Sequence, residues 1–84
     1  MKVVVKVIGM ATRAKGTSKS GKDFDFCNVA FSYDNQWGNH CVCTSLINGS
    51  DIDELEVSVG KEYVASVMEF RDSGKVSVDL MQEA

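Results

Sequence analysis

Apolar and polar side chains alternate with a period of two along most of this 84-residue chain. That spacing puts every second residue on one face of a strand and constrains the fold more than any other feature. Val3, Val5 and Val7 alternate with Lys2, Val4 and Lys6, which predicts a first strand over residues 2–10 with its odd positions toward a core. A second strand is expected over residues 23–33. Its aromatics change phase, with Phe24 and Phe26 even but Val29, Phe31 and Tyr33 odd. A one-residue slip turns every later side chain to the other face, so a β-bulge is expected near Cys27 and Asn28.

The turn residues Asp34, Asn35, Gly38 and Asn39 lead into a third strand over residues 39–47. It carries His40, Val42, Thr44 and Leu46 on one face and Cys41, Cys43 and Ser45 on the other. Asn48 and Gly49 break that strand, and Ser50 or Asp51 is placed to cap a short helical turn with acids at its start. A fourth strand over 62–70 meets a fifth over 75–81 across Arg71, Asp72, Ser73 and Gly74. The expectation is one all-β domain over residues 1–84, a five-stranded OB-like barrel with a short helical turn between strands 3 and 4. Phe26, Phe31 and Phe70 are expected in its core. The chain contains no proline, so its strand edges lack one common protection and pairing with a second copy is expected.

Hydrophobic and charged shares, 44% and 25%, are those of a globular domain, and no apolar run approaches the roughly 20 residues a bilayer requires. Lys6 interrupts the N-terminal apolar stretch and no small-residue cleavage site follows, so no signal peptide is read and a cytoplasmic location is expected. Three cysteines, Cys27, Cys41 and Cys43, form an odd set that argues for free thiols. Charge divides unevenly. Residues 1–50 hold six bases and three acids, net +3, whereas residues 51–84 hold three bases and nine acids, net −6.

The basic excess is concentrated in "RAKGTSKSGK", where Arg13, Lys15, Lys19 and Lys22 occur without an acid among small residues. No side chain there is larger and apolar than Ala14, so residues 12–22 read as a loop. Sequence-tolerant binding of a nucleic-acid single strand requires a positive groove beside aromatic platforms on which bases stack. Arg13, Lys15, Lys19 and Lys22 supply the groove in this reading, and Phe24, Tyr33 and Trp37 the platforms. The expected partner is single-stranded DNA, or RNA.

The segment "GTSKSGKDF", Gly16 to Phe24, resembles the gene V family of filamentous-phage single-stranded DNA-binding proteins, and "VGKEY" leading into the penultimate strand is similar as well. The resemblance implies a small OB-like protein that dimerises and coats single strands during phage or mobile-element replication. It implies that Lys19 meets phosphate, that Gly21 and Lys22 form the family's Gly-Lys step, and that Phe24 stands where an aromatic contacts bases. Tyr33 lies one position from a second such aromatic and Trp37 near a third. The chain departs from the family in its closing hairpin, where "RDSG" replaces a longer tip bearing an aromatic, and in being less basic.

Other chemistries fit less well. Cys41 and Cys43 are one residue too close for the usual zinc pair, so no metal is expected. With one histidine, no nucleophile motif and acids that run sequentially from Asp51 to Glu56, neither an enzyme nor a cofactor or small-molecule substrate is expected. The alternative function is a β-barrel module that binds protein and no nucleic acid.

Overall fold

The structure, a computed structural model, describes residues 1–84. The chain is all-β apart from one short helix. β1 (Lys2–Met10), β2 (Ala14–Thr17), β3 (Asp23–Asp34) and β4 (His40–Asn48) are followed by α1 (Gly49–Glu54), β5 (Glu62–Phe70) and β6 (Lys75–Glu83). Every pairing is antiparallel, in the order β2-β3-β1-β5-β6, with β4 also on β3. Six strands form where five were expected, because residues 14–17 of the anticipated loop pair with residues 23–26.

The sheet is open. β4 and β6 face each other across a seam without a backbone ladder, and the Val78 N–H donates instead to the Ser45 hydroxyl at 3.2 Å. No strand pairing closes a barrel.

β3 organises this topology. Its odd residues Cys27, Val29, Phe31 and Tyr33 are all buried, and β4 pairs with it in unbroken register from Phe26 to Asp34. The bulge expected near Cys27 and Asn28 is therefore absent. Irregularities lie in other strands, where Ile8 of β1 and Met81 of β6 are extra residues in their ladders with β3 and β5. Such insertions bend a strand and increase its twist, so the sheet curls through β1 and β6 while β3 keeps its alternation. The core is completed by Val5 and Val7 of β1, Ile47 of β4, Tyr63, Ala65 and Val67 of β5, Val78 and Leu80 of β6, and Ile52 and Val57 from the α1 region.

Unbroken alternation has a direct consequence for the aromatics. Phe24 and Phe26 occupy even positions, on the outer face of β3. Phe24 is exposed and Phe26 half-buried. Phe70 is 46% exposed on the outer face of β5, so neither it nor Phe26 is the core residue expected; Phe31 is. α1 begins after Asn48, which makes no side-chain cap, and neither Ser50 nor Asp51 stands at the cap. No helix is long and apolar enough to cross a membrane.

Burial separates two classes of substitution. Phe31→Ala removes a fully buried ring and is expected to cost about 3–5 kcal/mol, whereas Val42→Ala, 65% exposed on β4, should stay within about 0.5 kcal/mol. Urea denaturation of both variants checks the assignment of faces.

Candidate nucleic-acid interface

β2 and the start of β3 form a two-stranded ribbon with a tight turn. The Ser18 N–H donates to the Lys22 carbonyl at 2.7 Å, and the Gly21 N–H to the Ser18 carbonyl at 2.9 Å. Gly21 has φ +82°, a conformation that costs a β-carbon-bearing residue energy and glycine none. This turn places Lys19 and Lys22 at the ribbon's tip, both exposed and in no ion pair.

Register assigns the ribbon's two faces. Lys15 opposes Asp25 and Thr17 opposes Asp23, so these share one face; Gly16 opposes Phe24 and Ala14 opposes Phe26 on the other. The first face is largely self-satisfied, the Thr17 hydroxyl donating to Asp23 at 2.8 Å. On the second face Phe24 and Phe26 lie with ring centroids 5.9 Å apart and planes tilted by 42°, Phe24 resting over Gly16. Phe24 is 39% exposed.

Arg13 does not contribute to a positive groove. Its Nε and Nη2 donate to both oxygens of Asp25, at 2.7 and 2.6 Å, and its Nη1 and Nη2 donate to both oxygens of Asp53, at 2.8 and 3.1 Å. Paired, planar N–H donors match a carboxylate's two oxygens, which makes this the strongest geometry available to a side-chain ion pair. The guanidinium is neutralised twice over and ties the ribbon to α1. Hydrogen bonds from Arg13 hold the Asp25 and Asp53 carboxyls below the ordinary aspartate range, and those same bonds raise Arg13 further above its already high value. Gly49 is required here by close approach, since a β-carbon on it would overlap the Asp25 carboxylate.

The two remaining expected platforms lie at the far end of the sheet. From Phe24 to Tyr33 is nine residues of strand, roughly 30 Å at about 3.3 Å per residue, within a molecule 43 Å long. Tyr33 is 3% exposed, on the inner face, and its hydroxyl donates to Glu69 at 2.7 Å. Burial, then the bond to Glu69, pushes that phenol upward. Tyr33 closes the open end of the core and presents no ring to solvent, so it is not a platform. Trp37 is 58% exposed in the β3–β4 turn, whose backbone the Asn35 side chain holds by accepting the Trp37 and Asn39 N–H groups at 3.0 Å each. The Arg71 guanidinium lies 5.9 Å from the centre of its ring, a cation–π contact between the two hairpin turns.

The structure therefore places Lys19, Lys22 and Phe24 on one ribbon and adds Phe26, whose ring lies on the outer face and not in the core. Lys15 is exposed beside Asp25 on the opposite face. An unbroken alternation through β3 was the signal that would have paired Phe26 with Phe24. On the same outer face β4 presents Val42 and Leu46, the latter 62% exposed and paired across from Asn28. His40 bonds Asp34 at 3.0 Å on that face, whereas Cys41 and Cys43 point to the inner one; no three His, Cys, Asp or Glu side chains are grouped to hold a metal ion.

The clamp sets an acid limit. Because the Asp25 and Asp53 pKa values lie below the ordinary 3.8 in the folded chain, their contribution to stability is complete above that value. It is lost as pH falls through the folded values. Arg13→Gln should remove this part of the acid dependence, so that the urea midpoint falls less steeply below about pH 4 than in the unsubstituted chain. Gly49→Ala should displace Asp25 and, like Arg13→Gln, speed amide exchange in β2 at neutral pH; unchanged exchange in both variants would count against the clamp as the ribbon's anchor.

Comparison of the chain with protein-family models, curated proteins and solved structures gives no match. The resemblance over Gly16 to Phe24 rests on those residues themselves.

Proposed function

We propose that this protein binds single-stranded DNA with little sequence preference, and RNA where the strand is unpaired, by electrostatic capture at the β2–β3 turn followed by stacking on the outer face of β3. The observation that carries this reading is the placement of Lys19 and Lys22, free of ion pairs, at the tip of a ribbon whose outer face holds Phe24 and Phe26. Phosphates attracted to the tip would leave their bases beside those rings, and every base has a face that stacks on an aromatic. The setting is replication of a phage or mobile element, and the open sheet stands for a variant of the OB-like barrel. The unpaired edge of β2 supports association into a homodimer.

The alternative, a protein-binding β module, draws on the exposed Val42 and Leu46. Titration with a fluorescently labelled oligo-dT, followed by anisotropy and gel mobility, decides between them. If Lys19 and Lys22 each meet one phosphate, affinity should fall roughly sevenfold between about 50 and 200 mM salt. Lys19→Ala and Lys22→Ala should each reduce the slope of log affinity against log salt by about 0.7 and leave the melting temperature unchanged. Absence of binding at low salt would leave the protein-binding alternative. A sedimentation mass of one chain would remove the homodimer.

A further inference from the structure

The largest groove in the molecule, about 520 Å³, lies along the seam between β4 and the β5–β6 hairpin. Its upper walls are apolar, formed by Val42 and Leu46 on one side and Phe70 on the other, all three substantially exposed. Hydrogen-bonding groups stand between them, the Asn28 amide and the hydroxyls of Thr44 and Ser77. Lys75, the register partner of Phe70, stands at one end in no ion pair. No aspartate or glutamate lines the groove, although the chain has twelve acids to nine bases. The depression beside the ribbon differs, since Asp23 and Asp25 line it together with Lys15 and Phe24.

An apolar slot with neutral donors and acceptors, one lysine and no carboxylate complements a ligand with a flat apolar body, a hydrogen-bonding edge and a negative charge. A nucleotide has all three. The slot is also continuous with the ribbon: Phe24, Phe26 and Asn28 follow one another on the outer face of β3, and Asn28 is itself part of the slot's lining. We infer that the seam is a second nucleotide-binding subsite, in which a base of the strand captured at Lys19 and Lys22 inserts between Leu46 and Phe70 with an adjoining phosphate on Lys75. This rests on the single-strand reading above and gives the strand a path from the ribbon's tip, over Phe24 and Phe26, into the seam.

The test is an oligo-dT titration at low salt that follows the methyl resonances of Val42, Leu46 and Val76, with dTMP titrated in parallel. Oligo-dT should shift these methyls, and dTMP should do so only at far higher concentration, because the free nucleotide lacks the ribbon contacts. Phe70→Ala should weaken oligo-dT binding roughly tenfold, as loss of one stacked base does. Lys75→Gln should lower the salt slope by about 0.7. Leu46→Ala, on the opposite wall and away from the hairpin, should weaken binding with an unchanged urea midpoint, which guards against damage to the β5–β6 turn by the other two. Oligo-dT binding that Lys19→Ala weakens but these three leave intact, with static methyls, would overturn the seam subsite and spare the proposed function. Absence of any oligo-dT binding would overturn both. A dTMP affinity equal to that of oligo-dT would refute the continuous path.

Discussion

The alternation of β3 over twelve residues without a bulge is the constraint on which the rest of the structure depends. Its odd face supplies four buried side chains to the core, and its even face carries Phe24, Phe26 and Asn28 outward. Because the period is two, the same strand cannot bend at its centre and keep both assignments. Curvature is displaced to β1 and β6, each with one extra residue. The sheet curls around the core at the cost of an unladdered seam between β4 and β6. Core, aromatic strip and seam are thus three results of one register.

Period-two patterning made five of the six strands legible, and in β4 the separation of His40, Val42, Thr44 and Leu46 from Cys41, Cys43 and Ser45. What it misjudged was the meaning of large apolar residues. A preference of aromatics for burial implies a phase change at Phe24 and Phe26, but a small domain cannot hide all its apolar surface, and here both rings, like Phe70, lie on the outer face. β2 was illegible for a related reason. Lys15, Gly16 and Thr17 have no apolar periodicity, and residues 14–17 become a strand only because residues 23–26 offer a partner. Sequence reading sees propensity within a segment, and pairing across a turn is a tertiary event.

Arg13 shows the limit of counting charges. In sequence it belongs to a run of four bases without an acid, and nothing nearby distinguishes it from Lys15 or Lys19. In the fold it meets Asp25, twelve residues on, and Asp53, forty residues on. An arginine suits this role better than a lysine, since a planar fork can serve two carboxylates at once. The mixed sign of the chain has the same origin: an acid from the basic half and an acid from the acidic half are joined by one base. The positive charge of the ribbon available to a ligand therefore comes from its lysines alone, beside the exposed carboxylate of Asp23.

On the proposed function, this division would let an acidic protein offer a polyanion a path lined by lysines and aromatic rings. Carboxylates gather on the ribbon's inner face, around α1 and beside Lys61, which itself lies near Glu56 and Glu83 at 3.8 and 3.7 Å. The outer path over Phe24, Phe26 and Asn28 to Leu46, Phe70 and Lys75 contains none among those residues. Screening confines charge effects between exposed groups to about 10 Å at ordinary salt, so the sign of the nearest groups governs a bound strand more than the total of −3 does. A chain of 84 residues has too little surface to exclude acids everywhere. Alternation lets it keep them off this one path, while Asp34, Glu62 and Asp79 stand elsewhere on the same outer face.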